Sequence, residues 1–98
     1  MPLPATWSRI QGIPVTWSPA SAKRYDTGGA AKSLFIVHDI EGSAASAVNL
    51  FSSEPPGEDG GATQLIADPA GGRFIQMVRN GDTAYGCGNI AYNRRSIQ

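Results

Sequence analysis

The chain has 98 residues, 16% of them charged, with eight basic and eight acidic side chains and a formal net charge of zero. A chain of that length makes one small domain with a modest core, burying about two thirds of its unfolded surface. The charge balance excludes the clustered excess of Lys and Arg that a nucleic-acid surface requires, and Arg94–Arg95 is too short a run to supply it.

No apolar run approaches the ~20 residues of a membrane span. The N-terminus, MPLPATWSRIQGIP, lacks the basic n-region and apolar h-region of a signal peptide. One cysteine, Cys87, cannot form an internal disulfide, which leaves the redox compartment and the localisation open. Twelve glycines and seven prolines imply a chain rich in loops.

Residues 1–32 hold both tryptophans and show little periodicity, and they read as an extended arm. Its Trp7, Ile10, Ile13, Val15 and Trp17 are expected to pack on a sheet, with turns at Pro4, Gly12 and Pro19. An aromatic ligand platform is the functional alternative for this arm. Residues 25–31 (YDTGGAA) read as a loop leading into the central strand.

Ser33 to Phe51 is the stretch around which the rest is organised. Leu34–Val37, a continuous apolar run, reads as a short strand covered on both faces, with His38, the single histidine, at its carboxyl end. Ala44, Ala47, Val48 and Phe51 then recur at the spacing of one helix face. Ser43 is placed to cap that helix by accepting from a free N–H of the first turn. Asp39 and Glu41 fall near the positive end of its dipole. The pattern is strand, polar turn, helix, with one histidine and two carboxylates at the joint. In open α/β sheets the carboxyl ends of strands are where sites form.

Residues 52–61 (SSEPPGEDGG) read as a polar loop or linker without a packing signal. Thr63–Ala67 and Arg73–Arg79 read as two strands joined by the Gly-rich turn Asp68–Gly72, a hairpin. Asn80-Gly81 marks a turn, and residues 82–88 are expected to be irregular. Ser96-Ile97 begins a last strand. The expected core comprises Leu34, Phe35, Ile36, Val37, Ala47, Val48, Phe51, Leu65, Ile66, Phe74, Ile75 and Met77. The fold class that follows is α/β, a small mixed sheet with one helix packed on it.

Three blocks in order, VHDIEGSAASAVNLF (37–51), ATQLIADPAGGRFIQMV (62–78) and DTAYGCGNIAYNRRSI (82–97), resemble the N-acetylmuramoyl-L-alanine amidase domain of peptidoglycan amidases and peptidoglycan recognition proteins. The resemblance covers residues 33–97 and only the first part of that family's domain. It implies the first part of the zinc amidase fold, with residues 1–32 as an arm and 33–98 as a C-terminally incomplete amidase-like domain.

The resemblance also implies roles. His38 stands where the family has a zinc ligand, and a neutral imidazole is a sound one. Thr63-Gln64 stands where the family carries a pair ending in His. Gln64 can hydrogen-bond a ligand amide but cannot transfer a proton. Tyr85 takes the place of a family Trp, and Gly86 that of a substrate-contacting His. Asn93 and Arg94 match the family's Asn-Arg-Arg-Ser-Ile run, with a structural role, pinning the loop to the next strand, as the alternative to ligand contact. Gln64, Tyr85, Asn93 and Arg94 are therefore the substrate-binding candidates. The family's acid/base Glu and its remaining zinc ligands are expected beyond Gln98.

Zinc amide hydrolysis needs three protein ligands, a water position and a base. Besides His38 this chain offers Cys87, Glu41, Asp39 and Asp82, of which Cys87 and Glu41 are the better candidates. Asp39 points to the opposite face of the strand from His38. A Cys87 nucleophile would need His38 within hydrogen-bond reach, for which the spacing gives no argument. The expectation is a zinc-dependent amidase-type domain, of a kind found in phage endolysins, that is inactive as 98 residues alone. A catalytically dead muropeptide-binding module, or a fragment without independent function, is the alternative. The implied ligand is peptidoglycan or muropeptide, and an uncovered apolar face would favour self-association or a second chain.

Overall fold

The computed structural model describes residues 3–38, 42–56, 60–86 and 89–98. Asp39, Glu41 and Cys87, three of the candidate ligands, lie outside the described residues.

The arm is more regular than its sequence suggests. Strands β1 (Arg9–Ile10) and β2 (Ile13–Trp17) form a tight hairpin pairing Ile10 with Ile13. Its two central residues, Gln11 (φ 48°) and Gly12 (φ 81°), both take positive φ. That conformation matches the right-handed twist of the flanking strands, and glycine adopts it without a Cβ penalty. β2 then joins the sheet by backbone pairing. Ile13 and Trp17 remain partly exposed (41% and 39%), less covered than side chains expected to pack on a sheet. A 3₁₀ turn (Ala22–Arg24) capped by Ser21 leads into β3 (Tyr25–Asp26).

β4 (Leu34–Phe35) is the central strand of the sequence reading, and here the expectation of burial fails. Leu34 and Ile36 are half-buried, but Phe35 is 75% and Val37 94% exposed. Alternate residues of a strand point to opposite faces. Among the described residues nothing packs over the face bearing Phe35 and Val37. Helix α1 (Ala44–Ser52) forms where the periodicity places it. Ser43 Oγ accepts from Ser46 N at 3.1 Å, the capping bond that the sequence suggested.

β5 (Leu65–Asp68) and β6 (Arg73–Gln76) make the expected antiparallel hairpin, with Ile66 opposite Ile75. β6 also pairs in parallel with β2, so the main sheet runs β1-β2-β6-β5. Residues 82–88 are not wholly irregular: β7 (Thr83–Ala84) pairs with β3. Helix α2 (Ile90–Arg94) has no strong periodicity in the sequence and begins at Asn89, whose Oδ1 accepts from Tyr92 N. β8 (Ser96–Ile97) lies parallel to β4, and Leu65 N donates to Gln98 O at 2.8 Å, so the chain end bridges β4 to the main sheet.

The result is a small mixed α/β domain. Its core, Ala20, Ala47, Ala62, Ile66, Ile75, Met77, Val78 and Ala84, lies between the hairpin and α1, with Tyr25, Ala44, Val48 and Phe51 packed at its margin. Burial of side chains the size of Ile66, Ile75 and Met77 stabilises by roughly 1.5–3 kcal/mol each. The loop after α1 is not a free linker. Buried Arg24 donates from Nε to Ser53 O and from Nη1 to Gly61 O, both at 2.9 Å, fastening both ends of it.

Candidate functional site

His38 leaves the end of the β4 segment half-buried, where two cavities meet. The smaller, about 350 Å³, is walled by α1 (Ser46, Ala47, Leu50, Phe51), by Ala62 and Thr63 before β5, and by Tyr85 and Gly86 after β7. The larger, about 850 Å³, runs from His38 along the amino end of α1 to Trp17, Asp68 and Arg73. The first is mostly apolar with a polar end at the histidine, the form expected of a small-molecule site.

Behind the imidazole lies a buried amide network. Gln98 Oε1 is 2.6 Å from His38 Nε2. Gln98 Nε2 donates to Ala84 O (3.3 Å) and to Asn93 Oδ1 (2.9 Å), and its backbone N donates to Gln64 Oε1 (2.9 Å). Gln64 Nε2 in turn donates to Asp82 O (3.2 Å) and Ser96 O (3.4 Å). Gln64 is fully buried, Asn93 and Gln98 nearly so. A buried amide left unpaired would cost about 1–3 kcal/mol, so these bonds specify one arrangement of β5, β7, α2 and β8 around the histidine.

The candidates from sequence therefore separate by position. His38 and Tyr85 line the cavity. Tyr85 is steadied from outside, its hydroxyl donating to Asp26 Oδ1 on β3. Gln64 and Asn93 do not line the cavity, and their amides are bonded within the fold behind it. Arg94 is exposed on α2, where its carbonyl accepts from Ala30 N (3.0 Å) and Lys32 Nζ (3.0 Å). Glu41 and Cys87 lie outside the described residues.

Gln98, Thr63 and Asp26 escaped the sequence reading. The register explains Gln98: with Ser96 opposite Leu34, the two-residue alternation puts residues 96 and 98 on the face of residues 34, 36 and 38, a pairing the sequence does not disclose.

Burial, partly opposed by Asp82, holds the Lys32 ammonium below its ordinary pKa. The Arg73 guanidinium and the Gly71 N–H hold the Asp68 carboxyl below the usual carboxylate range.

Among the described residues no group of three His, Cys, Asp or Glu side chains could hold a metal ion. His38 offers one donor, and Gln98 already engages its Nε2. The described residues do not fit a zinc ion by themselves. Nor is any described helix long and apolar enough to cross a membrane.

The sequence matches no protein-family model, and no solved structure matches it. It is 34% identical over 82 residues to N-acetylmuramoyl-L-alanine amidase A of Achromobacter lyticus. The match covers 84% of this chain and 45% of that protein, so the chain spans less than half the relative's length. An 82-residue stretch of a 98-residue chain necessarily includes residues 17–82, and with them His38, α1 and the hairpin. This likeness supports a distant relationship to that amidase.

Proposed function

We propose that this chain is the first part of a peptidoglycan amidase-type domain, and that the cavity at His38 takes the junction between N-acetylmuramic acid and its peptide. The observation that carries the reading is the position of His38. The one histidine of the chain stands three residues past β4, at the mouth of a cavity walled by Tyr85 and Phe51, within the segment that aligns with an amidase. An apolar wall with an aromatic ring and an imidazole at one end suits a lactyl-alanyl amide, which offers a methyl group, an N–H and a carbonyl side by side.

Amide hydrolysis, zinc dependence and a lytic role in a phage or at a cell wall belong to the same reading. They call for metal donors and an acid/base beyond those described around His38. What the chain's own residues do is bind and orient: Tyr85 and the α1 face enclose the ligand, and His38 offers it a hydrogen-bonding edge.

A second reading, a muropeptide-binding module without catalysis, is favoured by one specific observation. Gln64 and Gly86 stand where the resembling family carries histidines. On either reading, the apolar face of Phe35 and Val37 is proposed to be covered by further polypeptide, of a second copy or another chain.

Calorimetric titration with a soluble muramyl dipeptide tests the proposal. The expected result is saturable binding that weakens about tenfold, the equivalent of ~1.4 kcal/mol, in His38→Ala and in Tyr85→Ala. No heat from the unaltered chain, or equal affinity in both variants, would remove the assignment. Hydrolysis of the dipeptide would favour the first reading, whereas its absence in this chain alone is expected on either.

A further inference from the structure

The amide of Gln98 has a direction that can be deduced. Its nitrogen end lies 3.3 Å from Ala84 O, a main-chain carbonyl that can only accept. Turned the other way, the side chain would set two acceptors against each other in a buried space. Asn93 Oδ1, 2.9 Å from the same nitrogen, agrees with this assignment. The oxygen of Gln98 therefore faces His38, and it too can only accept. At 2.6 Å the proton between them must belong to the imidazole.

We propose that Gln98 is a positioning residue that holds His38 as its Nε2–H tautomer, leaving Nδ1 as the accepting nitrogen of the site, and that Gly86 must be glycine for it to do so. A Cβ at residue 86 would lie 2.0 Å from Gln98 Oε1 and 2.5 Å from its Cδ. That is well inside any non-bonded contact, so a larger residue there displaces the Gln98 amide from the histidine. The sequence reading saw residue 86 as a place where an imidazole had been lost. In the fold it is the space through which the orienting amide reaches His38.

The consequence is chemical. A neutral imidazole has one donor and one acceptor, and which nitrogen is which is set by the partner of the other. With Nε2–H spent on Gln98, the free edge of His38 takes a proton donor, such as an amide N–H or a water molecule, or an electrophile that accepts its lone pair. It does not donate to a ligand carbonyl. This holds whether or not the ligand is a muropeptide.

Because the chain has one histidine, ¹⁵N-histidine labelling gives a single imidazole spectrum. Recorded well above the ordinary histidine pKa, two-bond ¹⁵N–¹H correlations of the unaltered chain should show a protonated Nε2 and an unprotonated Nδ1. The Nε2 proton should be directly visible, because its bond to Gln98 slows exchange with water. Gln98→Met, similar in shape but without the acceptor, and Gly86→Ala should each abolish that visible proton while far-UV circular dichroism is retained. A protonated Nδ1 in the unaltered chain would overturn the assignment, with no variant needing to fold. An Nε2 proton that stays protected in Gln98→Met would overturn the role of Gln98.

Discussion

Two apolar stretches that look alike in sequence meet opposite fates. LFIV at 34–37 and the hairpin strands around Ile66 and Ile75 both read as strands that contribute to the core. In the fold the hairpin is covered by α1 and flanked by β2, and Ile66, Ile75, Met77 and Val78 are at most 4% exposed. β4 pairs with β8 along one edge, and Phe35 and Val37 stand open. Hydrophobicity specified that both would be strands. Coverage depends on which elements lie above, and a local pattern does not carry that information.

Substitutions in the two stretches should separate them sharply. Met77→Ala, at a fully buried position, is expected to cost about 2–5 kcal/mol by lost transfer energy and a residual cavity. A cost below about 1 kcal/mol by urea unfolding would mean that the core at the hairpin is looser than described. Gly86→Ala comes next, at about 1–3 kcal/mol, since its Cβ must push a bonded, buried amide aside. Equal stability there would mean that Gln98 can move away freely.

Val37→Ser, at a residue 94% exposed, should lie within about 0.5 kcal/mol of the parent. Together with Phe35→Ser it should also reduce any concentration-dependent association seen by sedimentation. Loss of stability in the dilute Val37→Ser variant would show that this face is covered after all.

The smallest effect is electrostatic and sits at the hairpin turn. Asp68 Oδ2 accepts from Arg73 Nε at 3.0 Å, and the carboxyl is held below its ordinary pKa. A depressed carboxyl contributes stability that is present above its unfolded-state pKa and lost as pH falls through the folded one. The Arg73 side chain is 40% exposed, so solvent screens the pair and the effect on unfolding is slight. Arg73→Gln should move the Asp68 carboxyl titration upward, toward the free carboxylate range, as followed by side-chain ¹³C shifts. No movement would assign the depression to the Gly71 N–H instead.

Helix α1, its Ser43 cap, the hairpin and the start of β8 were legible because each rests on local chemistry: a 3.6-residue period, a capping hydroxyl, and alternation about a glycine turn. Pairings between distant segments were not. The parallel docking of β2 on β6, the β3–β7 pair and short α2 carry little sequence pattern, because backbone pairing is nearly blind to side chains.

The site divides in the same way. His38 and Tyr85 could be named from the motif blocks and do line one cavity. Gln64 and Asn93 were named as ligand contacts, yet their amides are directed at Gln98 and neighbouring main chain. Polar residues at a motif can serve the residue behind the site as well as the ligand in front of it, and only the hydrogen-bond geometry tells them apart.

Two cavities share His38, and the central claim is that the smaller one receives the muropeptide. Chemical-shift mapping during titration with muramyl dipeptide tests this most directly. The account predicts shifts at the His38 ring, the Tyr85 ring and the Gly86 and Thr63 amides, with the Trp17 indole and Arg73 side chain of the larger cavity unmoved. Shifts confined to Trp17, Arg73 and the amino end of α1 would contradict it.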